Sequence, residues 1–274
     1  MRFALINNQR AEAAPGLKGL CPGCNQPVTA KCGAHRMHHW AHLVDKKCDS
    51  WWETETEWHR AWKNNFPDDW QEVILPDEVT GEKHIADVLT DYGYVIEFQH
   101  SHINPQERIS RENFYKNMVW VVDGTRLKND YKRLIKGKNQ SRSEKQGVFL
   151  VDFPDECFPS AWLESSAPVV FDFQDIDSID DLKDERNYLY CLLPVKMVGG
   201  AAILTVWARD VFIDYIINGD WLSWVSRSTE ELIQTKKNIQ QVNEIRQQQR
   251  ANIAFAKFTS RPVTYRTYRK GRRF

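Results

Sequence analysis

A chain of 274 residues with 42% hydrophobic and 12% aromatic side chains can bury a substantial core, which excludes a disordered polypeptide. Lys plus Arg and Asp plus Glu each number 37, and a net charge of zero excludes a polycation that holds nucleic acid by charge alone. No apolar run reaches the roughly 18 residues that cross a bilayer, and the N-terminus lacks the apolar core of a signal peptide, so a cytoplasmic protein with no membrane partner is expected.

The segment Arg2 to Ile6 reads as a first strand, and the loop from Glu12 to Gly19 leads into a Cys/His-rich stretch ending near Cys48. Cys21-Pro22-Gly23-Cys24 is a knuckle that points two thiolates at one ion, and His39-Trp40-Ala41-His42 supplies imidazoles. A structural Zn²⁺ bound by Cys21, Cys24 and two of His39, His42 and Cys48 is expected, with His39 and Cys48 left as alternatives for the fourth position. Cys157 and Cys191 stand apart and read as core filler.

A helix is predicted from Ser50 as N-cap to about Asn65, stopped before Pro67. On it Glu55, His59 and Lys63 recur every four residues, so a carboxylate, an imidazole and an amine share one face. The face is either a surface charge ladder or a site. Strands are predicted at Glu72 to Pro76, His84 to Thr90 and Tyr94 to His100, then a helix opened by Pro105 and a strand over Val119 to Val122.

The run KHIADVLTDYGYVIEFQHSHI is the most informative part of the chain. A single carboxylate interrupts otherwise apolar text in each of its two strands, and a strand interior tolerates such a charge where something pairs with it or coordinates it. Alternation puts Glu97 and Gln99 on one face, and antiparallel pairing through Asp91-Tyr92-Gly93 brings Asp87 beside them. Oxygen donors of this kind suit Mg²⁺ or Mn²⁺. Ser101 falls on the same face as a phosphate or water ligand, and His84 flanks the carboxylates as a further substrate contact. Arg111 and Tyr115, four apart on the next helix, are placed to bind a phosphate or to fix Glu97, or else decorate the helix surface.

After residue 125 the signals weaken. Arg126 to Lys145 carries eight basic residues against two acidic ones and reads as a short helix and a solvated loop. GVFLVDF and PVVFDF read as a strand pair, and an acidic linker over 172–186 leads to helices at Ala208 to Ile217 and Thr229 to Gln249. The tail from 261 to 274, where Tyr265, Tyr268 and Phe274 alternate with Arg266, Arg269, Lys270, Arg272 and Arg273, suits either a nucleic-acid arm or a solvated terminus. Four regions are expected: a zinc module over 1–49, a catalytic core over 50–125, a basic loop, strand pair and acidic linker over 126–186, and a mainly helical region with a basic tail over 187–274.

The segments CPGC, HWAH, ETEWHRAWK, HIADV, VIEFQHSHI, RENFY and VWVVD, in this order over about residues 20 to 123, resemble the CoiA-like competence nucleases of the PD-(D/E)XK superfamily. The resemblance implies an α/β (α+β) restriction-endonuclease-like fold with an αβββαβ core, here with a zinc-ribbon-like module before it and a helical region after it. It implies that Asp87 and Glu97 bind the catalytic metal and that Glu55 assists. It also implies that Gln99 occupies a position more often held by Lys; metal activation or a displaced lysine must then supply the missing charge, with Lys63 the candidate for the latter, and His59 and Lys63 are candidates for handling substrate phosphate or protons. The expected activity is metal-dependent hydrolysis of foreign, single-stranded or branched DNA, in competence and recombination or in anti-phage defence. The alternative is a non-catalytic DNA-binding protein of the same fold. The C-terminal region is the expected contact for a partner protein or a second copy.

Overall fold

The computed structural model describes residues 1–34, 37–43, 48–51, 53–78, 80–145, 147–174, 181 and 183–259. Asp175, Asp177 and Asp180 of the acidic linker and the basic tail over 261–274 lie outside the described residues.

The N-terminal module is a five-stranded antiparallel sheet of β1 (Phe3–Ile6), β2 (Gln9–Glu12), β3 (Lys18–Leu20), β4 (Pro27–Lys31) and β5 (His39–His42), in spatial order β2-β1-β3-β4-β5. Asn7 and Asn8, both at positive φ (50° and 63°), turn β1 into β2, because a two-residue hairpin needs left-handed backbone that Asn tolerates. Its core is small: Ala4, Ala13, Cys21, Val28 and Trp40. The module is bolted to the rest of the chain through Arg2, whose guanidinium donates to Asn64 Oδ1 and Gln71 Oε1 at 2.7 Å each, and through Lys83, which donates to the Gly23 carbonyl at 2.9 Å.

The next elements are α1 (Glu57–Lys63), β6 (Gln71–Pro76), β7 (Lys83–Leu89), β8 (Val95–Gln99), α2 (Pro105–Tyr115) and β9 (Met118–Asp123). Helix α1 begins later than its sequence suggests: Thr56, not Ser50, is the N-cap, in a capping box with His59. Glu55 therefore precedes the helix and does not share its face ladder. By contrast α2 starts as expected, with Asn104 as cap and Pro105 in the first turn.

The chain continues through α3 (Asp130–Gln140), β10 (Arg142–Lys145), β11 (Val148–Val151), α4 (Pro154–Cys157), α5 (Ser160–Leu163), β12 (Val169–Asp172), β13 (Tyr188–Lys196), β14 (Ala202–Ala208), α6 (Arg209–Ile217) and α7 (Asp220–Thr259). Nine strands form one mixed sheet, in order β10-β11-β14-β13-β12-β9-β8-β7-β6, with β8, β9 and β12 parallel and the remaining pairs antiparallel. Two readings change here. GVFLVDF and PVVFDF do not pair: β11 lies between β10 and β14, whereas β12 lies between β9 and β13. The region after 187 opens with two strands rather than helix, and the sheet runs without a break across the divisions expected at 125 and 186. Tyr188–Lys196 and Ala202–Ala208 are buried on both faces, so they lack the alternation that marks a half-exposed strand.

Alternation along β9 divides the interior. Val119 and Val121 face a core with Trp58 and Trp62 of α1, Phe212 of α6 and Trp221 of α7, while Met118, Trp120 and Val122 face one with Tyr115 of α2, Leu134 of α3 and Trp162 of α5. Trp58 and Trp62 both donate their indole N–H to Asp172 Oδ2, at 3.0 and 2.9 Å, which ties α1 to the end of β12. Gly219 joins α6 to α7 at φ 77°, and a Cβ there would meet the Tyr92 ring at 2.9 Å. Gly219→Ala is expected to cost about 1–3 kcal/mol, read as a lower urea midpoint; an unchanged midpoint would show that the joint accepts a side chain. Among the described residues, no helix is long and apolar enough to cross a membrane.

Candidate active site and metal centre

Strands β7 and β8 pair at Val88↔Ile96 and Leu89↔Val95, beside the turn where Gly93 takes φ 73°. Continuing that register would put Asp87 opposite Glu97, and like charges across a ladder repel. The regular pairing stops there, and side chains take over the backbone groups. Asp87 Oδ2 accepts from the Phe98 N–H at 3.0 Å, and Glu97 Oε1 accepts from the Asp87 N–H at 3.2 Å. The strands part around two carboxylates, leaving a cavity of ≈ 60 Å³ lined by Asp87, Glu97, Glu55, His59, Lys63 and Arg111, with Glu72, Asp49 and Glu53 at its walls.

Electrostatics within the cavity are divided. Burial raises the Glu97 pKa, and the neighbouring Asp87 charge adds to it, reaching about 8 despite Arg111. Burial also pushes Asp87 up, against the pull of Lys63 and His59. Burial disfavours ionisation of Glu55 too, but hydrogen bonds from Arg60 and the charge of Lys63 outweigh it and hold that carboxyl down at about 2. Lys63 is sealed from water and lies 2.6 Å from Glu55, 3.3 Å from Glu72 and 3.8 Å from Asp87; burial penalises its ammonium, yet these carboxylates keep it charged. Burial lowers the His59 pKa, its Nε2 sits 3.1 Å from the Phe98 carbonyl, and its Nδ1 sits 2.8 Å from Thr56 Oγ1.

Of the readings of Arg111, the geometry has it fixing Glu97: Nη1 donates to Glu97 Oε2 at 2.8 Å and Nη2 to the Trp51 carbonyl at 2.6 Å. Tyr115 is buried in the second core, edge-on to Trp51, and does not reach the cavity. His84 is buried as well, stacked on Trp51 with ring centroids 3.4 Å apart and with Nδ1 3.2 Å from Asp49. Neither ring lines the cavity. Gln99 forms a partition behind the cavity, its Nε2 donating to Glu53 Oε2 at 2.7 Å and to Ser101 Oγ at 3.3 Å, while its buried Oε1 has no hydrogen-bond partner among the described residues. Ser101 lies beyond that partition.

Glu72, Asp49 and Glu53 were not singled out from sequence. Glu72 stands at φ 48° in Gln71–Pro76 and accepts the backbone N–H of Arg2 (2.7 Å) and of Phe3 (3.2 Å) while facing Lys63. The one available signal was a lone carboxylate in an apolar strand, the same kind of signal that marks Asp87 and Glu97. Asp49, next to Cys48, accepts from the Ile85 N–H at 2.9 Å.

A second cluster lies in the N-terminal module. The donor atoms of Cys21, Cys24, His42 and Cys48 all lie within 4.8 Å of one another. Cys21 Sγ and Cys48 Sγ are 3.7 Å apart, close to the edge of about 3.8 Å expected for a tetrahedron with Zn–S arms near 2.3 Å. Cys24 Sγ lies 3.2 Å from His42 Nε2. The hydrogen bond from Cys48 holds the Cys21 thiol down to about 4, and the same contact together with burial pushes Cys48 up. The cluster could hold a metal such as zinc. His39 is not part of it: three residues from His42 on β5, it points to the other face and bonds the Met37 carbonyl at 2.8 Å. Of the two alternatives, Cys48 therefore supplies the fourth donor.

Residues 8–50 match the family model of the competence protein CoiA, N-terminal domain, and residues 79–150 match that of the competence protein CoiA, nuclease-like domain. The first match contains all four Cys/His donors and the second contains Asp87, Glu97, Gln99 and Arg111, with Glu55, His59 and Lys63 between them. No curated protein and no solved structure matches the chain.

Proposed function

We propose that this chain, which belongs to the CoiA-like competence nuclease family, is a metal-dependent deoxyribonuclease that hydrolyses DNA phosphodiester bonds. The observation that carries the reading is the pair Asp87 and Glu97, set face to face where β7 and β8 part and opening on a cavity with Lys63 and His59. The order α1-β6-β7-β8-α2-β9 supports assigning residues 57 to 123 to a PD-(D/E)XK αβββαβ core.

The donor set fits a hard divalent cation. Asp87 and Glu97 are oxygen donors whose burial raises their proton affinity, with the Asp87 charge adding to it at Glu97, which is the situation that Mg²⁺ or Mn²⁺ relieves. Asp87 and Glu97 would hold that ion, with Glu55 assisting through the cavity wall. When bound, the ion supplies Lewis acidity toward a phosphoryl oxygen and a lowered pKa for water. The chain's own residues prepare the site. Arg111 fixes the Glu97 carboxylate, and the backbone N–H of Phe98 fixes that of Asp87. Lys63, kept charged by Glu55, Glu72 and Asp87, supplies the positive field that a lysine at position 99 would otherwise provide. His59, with Nε2 at the Phe98 carbonyl, holds β8 against α1.

Zinc at Cys21, Cys24, His42 and Cys48 is the structural metal of this reading. Foreign, single-stranded or branched DNA is the proposed substrate, in competence, recombination or defence. Cleavage of linear, single-stranded and branched DNA with added Mg²⁺ or Mn²⁺, measured against a chelated control, tests it; intact DNA on every substrate would leave the non-catalytic DNA-binding protein as the better reading. Gln99 favours that second reading, since it offers no charge. Gln99→Lys is expected to keep activity within about threefold or raise it, because an ammonium can still donate to Glu53 and Ser101. Complete loss of cleavage in that variant would show that the neutral amide has its own role.

A further inference from the structure

The carboxyl ends of the parallel strands β8, β9 and β12 open onto a second cavity of ≈ 50 Å³, on the far side of Gln99 from the carboxylates. The carboxyl edge of parallel strands is where ligands of α/β sheets collect. Its walls include His100, Ser101, His102, Asp123 and Arg126. His100 Nδ1 lies 2.7 Å from Asp123 Oδ2, and Asp123 is itself buried, its other oxygen accepting from the Thr125 N–H at 2.8 Å and the Thr125 hydroxyl at 2.6 Å. The imidazole is thus held by a carboxylate that cannot turn away, although 38% of the His100 side chain is exposed. With Nδ1 taken up, Nε2 is the ring atom left for a ligand. An Asp–His pair this well fixed is more than a surface contact.

Both carboxylates of the wall are engaged, Asp123 by His100 and Asp130 by Arg133, so among the described side chains lining it Arg126 is the charge without an ion pair. Arg126 is exposed at the rim, and the one further carboxylate there, Asp130, faces Arg133 at 3.6 Å. The cavity adjoins the carboxylate site: Gln99 bonds Glu53 on one side and Ser101 on the other, and the His100 ring centroid is 6.1 Å from that of His59. We infer that His100, held by Asp123 and flanked by Arg126, binds a backbone phosphate of the DNA strand next to the one presented to Asp87 and Glu97; this rests on the nuclease reading for the identity of the strand.

The test is fluorescence anisotropy of a fluorescein-labelled single-stranded oligonucleotide across a KCl series without added divalent cation, run beside Mg²⁺-dependent cleavage by the same proteins. His100→Ala is expected to weaken binding about tenfold, the effect of one charge-assisted contact. His100→Gln should recover part of that loss through a neutral hydrogen bond. Arg126→Ala should lower the slope of log affinity against log salt by about 0.7, one single-strand phosphate contact. His100→Ala leaves the buried Asp123 oxygen without its imidazole and is expected to melt lower, so its loss of affinity is read against His100→Gln, whose amide can still donate to Asp123 and should melt as the wild type does. Wild-type cleavage with affinity unchanged in His100→Ala would overturn the inference and leave the nuclease reading intact, as would a collapse of turnover at unchanged affinity, which would make His100 catalytic. A protein that binds through His100 but never cuts would keep the phosphate site and sink the nuclease; one that binds no DNA sinks both.

Discussion

Asp87→Asn and Glu97→Gln are each expected to lower DNA cleavage by a factor of about 10³ or more, the scale of several kcal/mol of lost charge stabilisation at the phosphoryl group, with DNA affinity nearly unchanged. The amides are the informative substitutions. Truncation to Ala would disturb the fold as well as the chemistry. Glu97 is 2% exposed and is the ion-pair partner of Arg111, itself buried. Stranding one member of a buried pair costs about 3–5 kcal/mol, so inactivity of Glu97→Ala would be ambiguous. Asp87→Asn retains an oxygen for the Phe98 N–H, and Glu97→Gln retains one for Arg111. Folded, DNA-binding amide variants that still cut at the wild-type rate would remove both residues from the chemistry.

Cys48→Ser is expected to strip the N-terminal module of its metal, as are Cys21→Ser and Cys24→Ser, whereas His39→Ala should retain it. Elemental analysis of the wild type should find about one zinc per chain. Structural zinc contributes about 10–16 kcal/mol of apparent binding energy in small domains, far more than a five-residue core of Ala4, Ala13, Cys21, Val28 and Trp40 can replace. The loss should reach the cavity as well, because the Arg2 and Phe3 N–H groups occupy Glu72, and Asp49 follows Cys48 in the chain. Zinc-free wild-type protein, or a Cys48→Ser variant with full zinc content, would defeat the assignment.

The part of the site that could be read from sequence was the part built locally. Asp87 and Glu97 lie within one hairpin, so a turn and a period of two suffice to bring them together. Cys21 and Cys24 share one knuckle in the same way. His39 could have been set aside too, since three residues along a strand reverse a side chain's direction. Helix α1 was placed correctly but its start was not, because Ser50 and Thr56 are both acceptable caps and only tertiary context chooses. Glu72 was beyond reach: its role depends on Arg2 and Phe3, about seventy residues earlier, meeting it across two sheets. β13 and β14 were missed for a different reason, since burial on both faces erases the pattern that reveals a strand.

Asp172 gives the order of synthesis a physical meaning. Every residue of the carboxylate cavity has been translated by residue 111, yet the two indoles of α1, the helix that carries His59 and Lys63, find their acceptor only at residue 172, and β9 lacks its partner β12 until then. A ribosome-bound chain that ends short of β12 leaves Trp58 and Trp62 without that bond and the β9 edge unpaired, so α1 is not locked over the sheet. The full complement of cavity residues is then present in the nascent chain without the frame that sets their spacing. Assembly waits on a late contact of long sequence separation, the kind that closes slowly.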